Sequence, residues 1–228
     1  MTRLGVITGL ASEQACLDVF AADRRPRVRC AGADSARAGV LARELIDQGC
    51  QALLSFGMAG GLTADLQPGR VIVAAMGVAP GGRVLKTSRV WRDRVQSLLG
   101  GGDGVTIAGM AGAVSAVATP AAKRDLGLAT NAVAVDMESH EVAAVAEDAG
   151  VDFLIIRAIA DPVERAIPGW LPGRISEQGT PHYGAILAGL AAHPRDLPSL
   201  FRLKRDSDRA LGALRGVAGR LGPLFGLG

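Results

Sequence analysis

The stretch AVAVDMESHEVAAVAEDAGVDFLIIRAIADP, residues 132–162, decides the fold class. Ala132 to Met137 reads as a strand, and Ser139 to Ala149 carries a helical pattern that stops at Gly150, a residue suited to the left-handed close of a helix. Phe153 to Ile159 is apolar except for Arg157, and Pro162 ends the run. Strand, helix and strand in about 30 residues form a crossover unit, which predicts parallel pairing.

The same grammar extends in both directions. Leu4 to Thr8 is a buried strand closed by Gly9, and Ser12 offers an N-cap for a helix through about Ala21. Val28 to Ala31 is a weak strand, and Ala36 to Gln48 is a helix stopped by Gly49. Ala52 to Phe56 is an apolar strand that runs into Gly57-Met58-Ala59-Gly60-Gly61, expected to be a turn. Pro68-Gly69 marks another turn before the strand Val71 to Ala75. Gly100 to Gly104 is expected as a loop, Val105 to Ala108 as a strand and Pro120 to Leu126 as a short helix. The chain reads as irregular after Pro162 and helical again from Leu197.

Continuous apolar strands imply a sheet covered on both faces. The expected class is α/β, a three-layer sandwich with a mixed, mainly parallel central sheet. One domain is expected over residues 1–228, with a basic helical tail at about 195–228.

The 228 residues are 49% hydrophobic and 21% charged, which excludes intrinsic disorder. Only 8 residues are aromatic, against 31 glycines, which argues against a stacking platform for single-stranded nucleic acid. Net charge is +3, but residues 195–228 hold seven Arg or Lys against three Asp, so the remainder sits at −1. Cys16, Cys30 and Cys50 show no CxxC spacing, so neither a disulfide framework nor a zinc site is expected, and the reading is a reduced cytoplasmic protein. No export signal or membrane-spanning run is read from the sequence.

Ligands of open parallel sheets bind beyond the carboxyl ends of the strands, so the polar residues there are the first candidates. The turn expected at Gly57–Gly61 either presents amides to an anion or packs a strand on a helix. Asp161, after a long apolar run, is either a general acid raised by desolvation or a turn cap. Of Asp136 and Glu138, one carboxylate binds ligand hydroxyls while the other caps the following helix. His140, His182 and His193 read as surface or cap residues, since no pair has metal-ligand spacing. GxGxxG, GxxxxGK[ST] and GxSxG are all absent, which removes the usual support for dinucleotide, P-loop and serine-hydrolase chemistry.

Val135-Asp136-Met137-Glu138-Ser139, with Arg157-Ala158-Ile159-Ala160-Asp161, resembles the superfamily of purine nucleoside phosphorylases and methylthioadenosine/adenosylhomocysteine nucleosidases. Ile7-Thr8-Gly9-Leu10 and Gly57 to Gly61 follow the order of that family, and the likeness spans about residues 4 to 165. Ala118-Thr119-Pro120-Ala121-Ala122-Lys123, Asp136 to His140 and the Arg-rich tail make the hopanoid-associated phosphorylases the nearest likeness within it.

The resemblance implies cleavage of the N-glycosidic bond of adenosylhopane with release of adenine, by phosphorolysis to a phosphoribosyl hopane. Asp161 would be the catalytic acid toward N7, and Met137 and Glu138 would bind the ribose. Gly9, Gly57, Met58, Ala59 and Gly60 would hold the phosphate or nucleophile, and Val117, Asp136 and Ala160 the purine. It implies no cofactor and no metal, inorganic phosphate as co-substrate, a homo-oligomer and no nucleic-acid partner.

Two alternatives stand beside this. One is a hydrolytic methylthioadenosine/adenosylhomocysteine nucleosidase, whose water-positioning glutamate falls by count from Gly9 on Gln14, with Glu13 beside it. The other is a nucleoside-binding protein without catalysis. Ser55 and Met58 stand where hexameric phosphorylases carry an arginine and a serine, which leaves Arg83 or Lys86 to supply charge for an anion. The tail, with Leu200, Leu211, Leu214, Val217 and Leu221 at helical spacing, is either a surface for anionic lipid beside a lipid-like 5′ group or a helix docked on its own body.

Overall fold

The computed structural model describes residues 3–100 and 105–227, so residues 101–104 of the expected glycine loop lie outside them. Its strands are β1 Leu4–Thr8, β2 Arg27–Cys30, β3 Ala52–Gly61, β4 Val71–Val78, β5 Val84–Lys86, β6 Val105–Gly112, β7 Ala134–Asp136 and β8 Asp152–Asp161. Its helices are α1 Ala11–Gln14, α2 Ser35–Asp47, α3 Arg89–Leu99, α4 Pro120–Thr130, α5 Ser139–Ala149, α6 Tyr183–Ala192 and α7 Leu197–Leu221.

The strand order is β2-β1-β3-β7-β6-β4-β5, with β8 pairing both β3 and β4. Strands β3, β7, β6, β4 and β8 therefore close on themselves as a ring. The pairs β1–β2, β1–β3, β3–β8, β4–β6 and β6–β7 are parallel, and β3–β7, β4–β5 and β4–β8 are antiparallel. The register slips at Ala59/Gly60 on β3 and between Ala74 and Met76 on β4, and such bulges bend the long strands enough for closure.

Alternation along β3 and β8 sends Leu54 and Ile156 to one face and Leu53 and Ile155 to the other. The first face is covered by Trp91 and Val95 of α3 and by Ala210, Leu214 and Val217 of α7. The second is covered by Leu41 and Leu45 of α2 and Val142 and Ala146 of α5. Both faces are thus buried, as the continuous apolar strands require. Truncation of a fully buried Leu54 or Ile156 to Ala costs about 2–5 kcal/mol. The α7 helix docks on the body through Leu214, Val217 and Leu221, the second of the two readings of the tail. Among the described residues no helix is long and apolar enough to cross a membrane, and the three cysteines are free.

Four expectations change. Gly57–Gly61 is not a turn but the second half of β3, where Gly60 and Gly61 pair with Val135 and Ala134. The unit β7–α5–β8 is not a parallel crossover, because β7 runs antiparallel to β3 while β8 runs parallel to it. Ser12 does not cap a helix through Ala21: α1 starts at Ala11, and the chain tightens into a 3-10 segment over Ala15–Val19. The stretch after Pro162 contains α6, a mostly apolar run without a side-chain cap to signal it.

Candidate active site

The ends of β3, β7 and β8, the turn after β1 and the start of α5 surround a cavity of about 280 Å³. That is near the lower bound of roughly 300–1,000 Å³ common for small-molecule sites. Gly9, Met58, Ala59, Gly60, Val117, Asp136, Met137, Glu138, Ala160 and Asp161 all line it. Glu138 and Asp161 therefore face one shared space. Gly57 does not line the cavity, which corrects its expected place among the ligand contacts.

The glycines serve the site by lacking side chains. A Cβ on Gly9 would lie 2.6 Å from Glu138 Oε1, one on Gly57 would lie 2.5 Å from Glu13 Oε2, and one on Gly60 would lie 3.1 Å from Asp161 Oδ2. Each glycine thus leaves room for a different carboxyl group. None of the three has a positive φ, so close approach rather than turning explains them.

At the centre lies Arg157, fully buried on β8. Its Nη2 donates to Ser55 Oγ at 2.7 Å, Glu138 Oε2 at 3.1 Å and Ser139 Oγ at 3.2 Å, and its Nε lies 2.6 Å from Asp136 Oδ2. Asp136 also accepts the Ser139 amide hydrogen at 3.2 Å and the Ser139 hydroxyl, so it is the carboxylate that caps α5. Glu138 is left to the cavity. Burial pushes its carboxyl up to about 7 against the pull of Arg157, with Asp136 and Glu13 adding to the rise. Removing one member of such a buried ion cluster costs about 3–5 kcal/mol, because the others stay buried and unmatched.

Glu13 completes the cluster. One carboxylate oxygen accepts the amide hydrogens of Gly9 at 2.8 Å and Leu10 at 2.9 Å, and the other accepts that of Met58 at 2.7 Å. Burial raises its affinity for a proton, while Arg157 and these amides oppose the rise. The count from Gly9 pointed to Gln14, but α1 begins at Ala11 and turns Glu13 inward. Of the amides expected to cradle phosphate, those of Gly9 and Met58 are already bound to this carboxylate. Arg83 pairs with Glu147 on the surface and Lys86 is exposed, so neither joins the site.

Asp161 ends β8, and its Oδ2 lies 2.5 Å from the ammonium of Lys123, which is fully buried on α4. Burial raises the Asp161 carboxyl above its ordinary range, and Lys123 and then Arg165 oppose the rise. Neither Lys123 nor the outer wall of the cavity was assigned a role by sequence reasoning. That wall is Ile167, Leu171 and Ile175 from the segment after β8, with Leu203 and Ser207 of α7. His140 proves buried, its ring packed over Gly112, rather than a surface or cap residue. Among the described residues no group of three or more His, Cys, Asp or Glu could hold a metal ion.

Residues 92–173 match the family model described as Phosphorylase superfamily. No curated protein matches the sequence. Among solved structures, the methylthioadenosine/S-adenosylhomocysteine nucleosidase of Neisseria meningitidis in complex with methylthio-immucillin-A superposes with a TM-score of 0.71 at 14% identity, over 97% of this chain and 99% of that one. The S-adenosylhomocysteine nucleosidase of Streptococcus pyogenes gives 0.69 at 17% identity, over 97% and 98%. Native futalosine hydrolase of Helicobacter pylori gives 0.68 at 17%, over 94% and 96%. At these identities the likeness establishes a shared fold.

Proposed function

We propose that this protein is an enzyme that hydrolyses the N-glycosidic bond of a purine nucleoside bearing an apolar 5′ substituent. The observation that carries the reading is Glu13, whose carboxylate takes the Gly9, Leu10 and Met58 amides and faces the same cavity as Glu138 and Asp161. A carboxylate there repels phosphate and suits water. Three carboxyl groups also converge on the one arginine there, an arrangement better suited to a cationic sugar than to an anionic co-substrate. This reading favours hydrolysis over the phosphorolysis implied by the family resemblance.

The roles in this reading are those the family resemblance implies, carried by residues that share the cavity. Glu138 and Met137 hold the ribose, and Val117 and Ala160 flank the base beside Asp161. As the bond from C1′ to the base nitrogen breaks, its electron pair moves onto the purine and Asp161 delivers a proton to N7. The sugar becomes oxocarbenium-like and is stabilised by Glu138 and Glu13. Glu13 takes a proton from the attacking water as its oxygen bonds to C1′. The products are a free purine and a free sugar. Ile167, Leu171, Ile175 and Leu203 form an apolar outer wall, which supports an apolar 5′ group.

Purified protein incubated with adenosine, methylthioadenosine and adenosylhopane, each with and without phosphate, tests the assignment. Purine release from a 5′-substituted nucleoside without phosphate supports it. Binding of all three with no release in either buffer would favour a non-catalytic nucleoside binder.

A further inference from the structure

Lys123 is a lysine in a chain that prefers arginine: of its 25 basic residues only Lys86, Lys123 and Lys204 are lysines. It is also fully buried, an uncommon place for an ammonium. Thr119 starts α4 by accepting the Ala122 amide hydrogen at 3.2 Å, and one turn into the helix Lys123 reaches the chain that leaves β8. Its Nζ donates to Asp161 Oδ2 at 2.5 Å, the Arg165 carbonyl at 2.9 Å, the Pro162 carbonyl at 3.1 Å and the Asp161 carbonyl at 3.3 Å. The three N–H groups of a compact ammonium can be shared among four converging acceptors, whereas a planar guanidinium fork fits them poorly.

We propose that Lys123 is the positioning residue for Asp161: it pins one carboxylate oxygen, presents the other to the base and sets the acidity of the group that delivers the proton. This rests on the hydrolytic reading above and extends it to a residue outside the cavity lining. Lys123 holds Oδ2 of Asp161, and among the described residues no side chain is bonded to Oδ1, so it is the oxygen available to a ligand. When the proton leaves for N7, an aspartate is left in a partly buried position. The fixed cation stabilises that anion and makes the acid stronger than burial alone would allow.

The other charges near Asp161 are accounted for. Arg165, on the segment after β8, is paired with Asp206 of α7, and Glu164 is paired with Arg124 of α4. On the cavity side Asp136 and Glu138 are held by Arg157, and the β3 and β7 neighbours Gly60 and Val135 are uncharged. Lys123 is therefore the direct ion-pair partner of Asp161.

The test is a carbon-13 NMR titration of the Asp161 carboxyl in the parent, Lys123→Met, Lys123→Gln and Lys123→Arg proteins, with the signal assigned by its loss in Asp161→Asn. Lys123→Gln removes the charge while keeping an amide donor for the carbonyls, so it guards against a Met variant that does not fold. The expected result is an Asp161 titration displaced to higher pH in the Met and Gln variants and restored only in part in Lys123→Arg, which keeps the charge but fits the acceptors poorly. The alkaline limb of kcat/KM should move upward with it, since the acid must be protonated to act. An unchanged Asp161 titration in a folded neutral variant overturns the proposal, and so does a displaced titration with an unmoved alkaline limb. A parent protein that releases no purine would instead sink the hydrolytic reading, and the titration still decides whether Lys123 sets the acidity of Asp161.

Discussion

Glu13 Oε1 accepts the main-chain amide hydrogen of Met58 at 2.7 Å, tying α1 to the second half of β3. This contact places a carboxylate where a phosphate-using enzyme needs free amides. Glu13→Gln should therefore lower purine release by about 10²–10⁴-fold, the range for loss of a general base, while the fold remains. Steady-state assays with thermal melts check this, and an unchanged rate would remove Glu13 from the chemistry.

Asp161→Asn keeps the shape of the side chain and removes the transferable proton. Turnover should fall by about 10²–10⁴-fold, with nucleoside affinity changed much less. Calorimetric titration of substrate into the inactive variant separates the two effects. Equal losses in binding and turnover would make Asp161 a structural residue.

Glu138 ties stability to pH. Its carboxyl is raised from an ordinary 4.5 to about 7 in the folded protein, so the native state holds a proton that the unfolded chain releases. This contribution to stability is fully present below about 4.5 and is lost as pH rises through about 7. Melting temperature should therefore fall across that window, and Glu138→Gln should flatten the slope. A parent and variant with parallel pH profiles would contradict the raised value.

Gly57→Ala tests why β3 is rich in glycine. The new methyl group would sit 2.5 Å from both Glu13 Oε2 and Arg157 Nη1. Overpacking of this kind costs about 1–3 kcal/mol and should also displace Glu13, so melting temperature and turnover should fall together. Gly216→Ala, whose Cβ meets nothing within 4 Å on α7, serves as the control and should leave both intact.

Much of this was legible before any coordinates. The strand at Leu4–Thr8 and the helix at Ser139–Ala149 match their sequence signals, because an apolar run and a closing glycine are local features. Asp136, Glu138 and Asp161 drew attention because polar residues at strand ends stand out against apolar runs, and all three line the cavity. What failed was nonlocal. Gly57–Gly61 looked like a turn because glycine density signals turns, and nothing nearby reveals that Glu13, Arg157 and Asp161 approach from other elements. Lys123 entered only as part of the Ala118–Lys123 motif and without a role, since the groups that bury it lie some forty positions downstream. Its rarity among so many arginines was the available signal. The apolar wall at Ile167, Leu171 and Ile175 carried no periodicity, being held in irregular chain.

The central claim is that water, positioned by Glu13, is the nucleophile. Running the reaction on a 5′-substituted adenosine in phosphate-free, oxygen-18-enriched water and analysing the sugar by mass spectrometry tests it most directly. The account predicts full purine release with the heavy isotope incorporated at C1′. Release that begins only when phosphate is added, with a sugar 1-phosphate as product, would contradict it.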